Sequence, residues 1–219
     1  LFSAAGLQSA ILPDILDVCA PVGRITPKLP APFDRIAGAP VYCCSNDTWT
    51  AVVGLGAQRA GCAYNISGTT EVLGVLSEAP IEATGLLTVD WRGLSQIGGP
   101  SLNGAETATW LLSLLKHDAT RVGDGLEALL GGRRHVQPIL FLPYLQGERV
   151  PYWDTNLRGA FIGLHREHTA TDLAWAVLEG IAFLNRIVLE RAEAALGSAV
   201  SEIRFGGGGA ANAVWCQIK

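Results

Sequence analysis

Asp47 stands just past the apolar run VYCCS and is the only carboxylate between Asp34 and Glu71. In an α/β domain, working groups gather outside the C-terminal ends of strands, and a carboxylate there can take a proton from a hydroxyl. The same residue could instead cap a helix that starts near Thr48. Gly68-Thr69-Thr70, inside NISGTTEVLG, offers two hydroxyls and several amides in a tight turn. Such a turn can hold a phosphate as an anion-binding nest, although a plain hairpin needs the same residues. FGGGGAAN is the sharper signal, because four consecutive glycines cost conformational entropy that a mere connector need not incur. They present backbone that a ligand can approach closely, and the helix expected behind them offers free N–H groups. IGGPSLNGAE repeats this arrangement more weakly before a helix at 105.

Other clusters carry less. No G-x-x-x-x-G-K-[ST] sequence occurs, which argues against a P-loop nucleotidase. His165-x-x-His168 has no third ligand close in sequence and reads as two surface histidines, and His117 and His135 have no evident partners. Cys43-Cys44 sits on an expected buried strand with no nearby histidine to activate it, so packing is the expectation. Glu148-Arg149, within LPYLQGERVPYWD, reads as an ion pair holding a proline-bounded loop.

These residues need a scaffold, and the pattern supplies one. Residues 1–39, with Pro40 beside them, concentrate the prolines in extended runs such as PVGRITPKLPAP, which preclude a regular helix or a central strand. From Val41 short apolar strands follow: VYCCS, CAYNIS, EVLGVLS, LLTVD and LSQIGG, three or more of which should pair as a meander. The period then lengthens. Helices are expected over 105–115 and 126–130, and a long one over 171–196 with Leu173, Val177, Ile181, Leu184 and Val188 on one face, Thr171 as cap and Gly197 at its end. ILFL and GAFIGL read as two central strands, and EIRF leads into the glycine run and a helix from about Ala211. The fold class is α/β with an early meander.

Composition narrows the function. Of 219 residues, 49% are hydrophobic and 16% charged, so the chain can build a core and is not disordered. A net charge of -4 and the lack of any basic run beyond Arg133-Arg134 exclude the electrostatic footprint of a nucleic-acid binder. No apolar stretch reaches the length of a membrane span. Five cysteines with no C-x-x-C fit buried thiols in a reducing compartment, which makes cytoplasm the expectation. The chain starts at Leu1, holds no Met and stops at Lys219 inside an expected helix, so it reads as a piece of a longer protein.

Taken together, the motifs resemble a family. GAFIGLHREHTATDLAWAVLE, residues 159–179, is similar to the second signature of the FGGY carbohydrate kinases, and NDTWTAVVGLGA, NISGTTEVLG, FLPYLQGERVPYWD and GGGGAANAVWCQIK occur in the family's order. The resemblance implies an actin/hexokinase/Hsp70-like (ribonuclease H-like) fold, with residues 1–39 as the tail of an N-terminal kinase domain and linker and 40–219 as the C-terminal domain. It implies transfer of the γ-phosphoryl of ATP, with Mg2+, to a sugar hydroxyl, a ketose by the wording of DTW and GTTEVL. Asp47 is then the general base, with Thr48 beside it at the substrate. Gly68, Thr69 and Thr70 match a phosphate loop, Gly104 a glycine near the nucleotide, and Gly208, Gly209, Ala210 and Asn212 the adenosine turn. The family's first phosphate loop, Asp-x-Gly-Thr, does not occur, and Asn46 stands where Gly or His is usual. The implied partners are the sugar and the missing N-terminal domain, with a homodimer left open. A non-catalytic ATP- or sugar-responsive module of the same fold is the alternative, and a ligand-free structural subunit is opposed by the four glycines.

Overall fold

The computed structural model describes residues 4–8, 10, 12–91, 93–117 and 122–219. The chain divides into two compact units, one ending at Thr50 and one from Ala51 to Lys219.

In the first unit, β1 (Pro21–Arg24) pairs antiparallel with β2 (Pro40–Tyr42), and a 3-10 turn spans Phe33–Ile36. Two expectations change here. VYCCS does not join a meander as a buried strand: β2 stops at Tyr42, is exposed throughout and pairs within the proline-rich segment. A two-stranded ribbon has an open edge on each strand, so proline's missing N–H does little harm there. The thiols differ too. Only Cys62 is buried, Cys43 is intermediate, and Cys19, Cys44 and Cys216 are exposed. Helix α1 (Asp47–Gly54) follows and runs across the boundary between the units.

The second unit is built on a five-stranded sheet in the order β5-β6-β4-β3-β9. Strands β3 (Cys62–Ser67), β4 (Glu71–Ser77), β6 (Leu94–Ser101) and β5 (Leu87–Trp91) form the antiparallel meander, and β9 (Glu202–Gly206) joins parallel to β3. The centre of the sheet is buried along nearly every residue, so β3 and β4 show no alternation of buried and exposed positions, and their polar residues Asn65, Ser67 and Glu71 are buried with the rest. Gly74 is required there: a Cβ would fall 2.7 Å from the Tyr64 hydroxyl, which donates to Gln96 on β6.

Helix α4 (Ala170–Leu196) organises the rest. Its N-terminal half packs Ala174, Val177, Leu178 and Ile181 into a cluster with Leu111 and Leu112 of α2 (Ala105–Leu114), Leu126 and Leu130 of α3 (Val122–Leu130) and Trp215. Its C-terminal half lays Ala192 and Leu189 on Ala63, Val75 and Ile97 of the sheet. Each fully buried aliphatic side chain contributes about 1.5–3 kcal/mol, so this one helix ties both layers together. The helix starts one residue earlier than expected, because Thr169 and not Thr171 is the cap: the Thr169 N–H donates to Asp172 Oδ2 in a capping box. Gly197 closes it in the left-handed region, at φ 70°. The expected central strands prove peripheral. β7 (Leu140–Leu142) and β8 (Ala160–Ile162) pair only with each other, and of β7 only Phe141 is buried. Among the described residues no helix is long and apolar enough to cross a membrane.

Candidate functional site

Three glycine-bearing segments meet at the C-terminal end of β3. There the chain leaves Ser67 and enters the turn Gly68-Thr69-Thr70, closed by the Gly68 N–H donating to the Thr70 carbonyl at 3.0 Å. The start of α2 lies against this turn: the Ala105 N–H donates to the Gly68 carbonyl at 2.9 Å and the Glu106 N–H to the Thr69 carbonyl at 3.2 Å. A Cβ on Gly104 would come within 2.7 Å of the Thr70 carbonyl carbon, so glycine is what allows the two segments to touch. The first amides of α2 are therefore engaged by the turn and do not form the open anion site that IGGPSLNGAE suggested.

The third segment is the glycine run after β9. Gly207 adopts φ +86°, and a Cβ there would sit 2.9 Å from the Ser67 carbonyl carbon. Gly209 is buried, and its Cβ would lie 2.8 Å from the Ser67 Cβ. Both are glycine because β3 passes directly beneath. Gly208 differs: it is exposed, and a Cβ added there meets nothing within 4 Å. Ala210 donates its N–H to the Gly207 carbonyl within the 3-10 turn Gly208–Ala211. Asn212 caps α5 (Ala213–Ile218), its Oδ1 accepting from the Trp215 N–H at 2.9 Å. The Trp215 amide in the first turn of α5 is thus taken by the chain's own asparagine, against the expectation of a free helix N-terminus. Thr69 is exposed and Thr70 half-buried, and among the described residues neither hydroxyl has a hydrogen-bond partner. Gly68, Thr69, Thr70, Gly104, Gly208 and Gly209 are therefore assembled in one place, with Ala210 and Asn212 at its edge.

Beneath the turn lies a polar group that sequence reading missed. Glu71, fully buried, accepts from Ser67 Oγ at 2.6 Å, Asn65 Nδ2 at 2.7 Å, Asn185 Nδ2 at 3.1 Å and Lys219 Nζ at 2.7 Å. Burial pushes the Lys219 ammonium below the ordinary lysine range against the pull of Glu71. Glu148 plays a similar part on the other side of Gly104. The expected ion pair with Arg149 is replaced by a hydrogen-bond hub: the buried carboxylate accepts from Ser101 Oγ, the Leu102 N–H and Asn103 Nδ2, each at 2.8 Å, and from the Arg149 N–H at 2.7 Å. It fixes the segment that delivers Gly104.

Asp47 and Thr48 belong to the first unit. Asp47 is exposed at the first residue of α1, with Oδ1 accepting from the Thr48 N–H at 2.7 Å. The cap of α1 is Asn46, whose Oδ1 accepts from the Trp49 N–H at 2.9 Å. Asp47 is thus not the cap, and its second carboxylate oxygen makes no hydrogen bond among the described residues.

Residues 63–219 match the model of the FGGY family of carbohydrate kinases, C-terminal domain. The chain belongs to the FGGY family. A glycerol kinase from Alkalilimnicola ehrlichii is 29% identical over 228 residues, covering 100% of this chain and 44% of that protein. A xylulose kinase from Staphylococcus epidermidis is 28% identical over 224 residues, covering 95% of this chain and 42% of its own. Among solved structures, a xyloylose kinase from Brucella ovis superposes with a TM-score of 0.77 at 26% identity, over 99% of this chain and 45% of that one. The chain thus spans less than half the length of these FGGY relatives and shares the actin/hexokinase-like fold of the family's kinases.

Proposed function

We propose that this chain supplies the nucleotide side of an ATP-dependent sugar kinase, with residues 40–219 as the C-terminal domain and 1–39 as linker and tail of the domain before it. The observation that carries this reading is the assembly at the end of β3, where Gly208 is exposed with open space above it and two threonine hydroxyls stand unengaged beside the same turn. ATP fits these residues. The turn Gly68–Thr70 would hold phosphate oxygens through its hydroxyls, and Gly208, with Ala210 and Asn212 beside it, would take the adenosine face. Magnesium would enter on the nucleotide and neutralise phosphate charge; Glu71, the nearest carboxylate in sequence, is already engaged, so the ion's remaining ligands would be water and threonine oxygen.

Asp47 would accept the proton of the attacking hydroxyl as that oxygen bonds the γ-phosphorus and the bond from that phosphorus to the bridging oxygen breaks, releasing ADP, with Thr48 orienting the sugar. Little else is demanded of the protein, because phosphoryl transfer is accelerated chiefly by positioning and by neutralising charge. Against the second reading, a binding-only module, stands the capping of α1 by Asn46: Asp47 is not needed as the cap, and its second carboxylate oxygen makes no hydrogen bond among the described residues. The acceptor we propose is a ketose, by the wording of residues 47–49 and 68–73 and the xylulose kinases among the relatives.

The experiment is ADP release by the protein in which this chain is joined to the domain bearing the other phosphate loop, over a panel of ketoses and polyols. Asp47→Asn should lower kcat by about 10²–10⁴-fold with nucleotide affinity unchanged. Near-normal kcat in that variant, with sugar-dependent turnover in the parent, would remove Asp47 from the reaction.

A further inference from the structure

His135, which shows no partner in the sequence, is brought by the fold to the loop between β8 and α4. Its Nε2 lies 3.6 Å from Glu167 Oε2, and His165 Nδ1 lies 3.9 Å from the same oxygen. The three donor atoms fall within 4.8 Å of one another, the one such group of imidazole, thiol and carboxylate among the described residues. Two atoms that bind one ion at about 2.0–2.2 Å stand roughly 3–4 Å apart, so small rotations of the exposed His165 and Glu167 side chains toward half-buried His135 close the set.

The surroundings are built to hold it. His168 is fully engaged: Nδ1 accepts from the His165 N–H at 2.7 Å and Nε2 bonds the Gln137 carbonyl at 2.8 Å, which ties the loop to the segment before β7. The His135 N–H donates to Asp172 Oδ1 at 2.6 Å, and the other oxygen of Asp172 closes the capping box of α4. His135 Nδ1 accepts from the Gln137 N–H at 3.1 Å, which holds the ring with Nε2 toward Glu167; to bind an ion at Nε2 the ring proton must sit on Nδ1, where the Gln137 carbonyl, 3.4 Å away, can accept it. Arg134 is already paired with Glu179 through two bonds of 2.7 and 2.6 Å, and a cavity of about 290 Å³ beside His135 and Glu167 gives room for coordinated water.

We propose that His135, His165 and Glu167 bind one transition-metal cation, which clamps the segment before β7 to the β8–α4 loop. Two imidazoles and one carboxylate suit Co2+, Ni2+ or Zn2+ and not Mg2+, so this site is separate from any ion that accompanies a nucleotide. The test is titration of the 219-residue chain with CoCl2 in excess MgCl2, after alkylation of the exposed thiols, read by visible absorption and by equilibrium dialysis. We expect one Co2+ per chain, a nitrogen- and oxygen-ligated spectrum and a rise in melting temperature with the metal. His165→Ala and Glu167→Gln should each weaken binding at least tenfold while melting like the parent without metal, and His117→Ala should bind like the parent. Absence of stoichiometric binding, or binding unaffected by both ligand variants, would overturn the proposal.

Discussion

Gly209 lies directly on Ser67: a Cβ added to the glycine would stand 2.8 Å from the serine Cβ, and the serine hydroxyl in turn donates to buried Glu71. The glycine run is therefore seated by the chain itself, and the absence of side chains at 207 and 209 is explained without a ligand. Gly208 is the position whose backbone stays open.

This separates two neighbouring substitutions. Gly209→Ala should destabilise the chain by a few kcal/mol, roughly the 1–3 kcal/mol typical of overpacking a well-filled core, because Ser67 cannot retreat without releasing Glu71. Gly208→Ala should leave the melting temperature within about a degree of the parent. Thermal melts of both variants decide the matter, and equal losses would mean that the two glycines are not distinguished by Ser67.

The buried pair makes a second test. Lys219→Met leaves Glu71 without its cation but with Asn65, Ser67 and Asn185 still donating, so the loss should be near 3 kcal/mol, the low end for breaking a buried ion pair. Denaturant unfolding of parent and variant measures it. A loss below about 0.5 kcal/mol would show that the ammonium is worth no more than a surface charge.

Glu148→Ala removes four hydrogen bonds from the segment that carries Gly104. With several donors stranded at roughly 1–3 kcal/mol each, the unfolding free energy should fall by about 3 kcal/mol or more, and amide exchange should quicken at Leu102 and Asn103 before it does in β3. Unchanged exchange there would contradict the hub.

Much of this architecture is legible in the sequence. CAYNIS and EVLGVLS coincide with β3 and β4 because a fully buried strand shows as a mostly apolar run between turn residues. The face of α4 follows from its spacing. The rest depends on long-range pairing. Glu148 looks like half of an ion pair with Arg149 until Ser101–Asn103 fold against it, and the His165 loop lacks a third donor until His135 arrives from before β7. The β1–β2 ribbon was hidden for a different reason: its prolines argue against a central strand, and only the fold makes both of its strands edges. Gly104, Gly208 and Gly209 look alike in the sequence, and only the neighbours supplied by β3 give them separate roles.

The central claim is that the exposed backbone at Gly208, beside the turn Gly68–Thr70, receives a nucleotide. Calorimetric titration of the chain with ADP, for the parent and for Gly208→Val, tests it most directly. The account predicts saturable binding to the parent and an affinity at least tenfold weaker for the variant at an unchanged melting temperature, because a Cβ at this position has no protein atom within 4 Å and the side chain grows into the space the ligand needs. Equal affinity in a folded variant, or no binding to the parent, would contradict it.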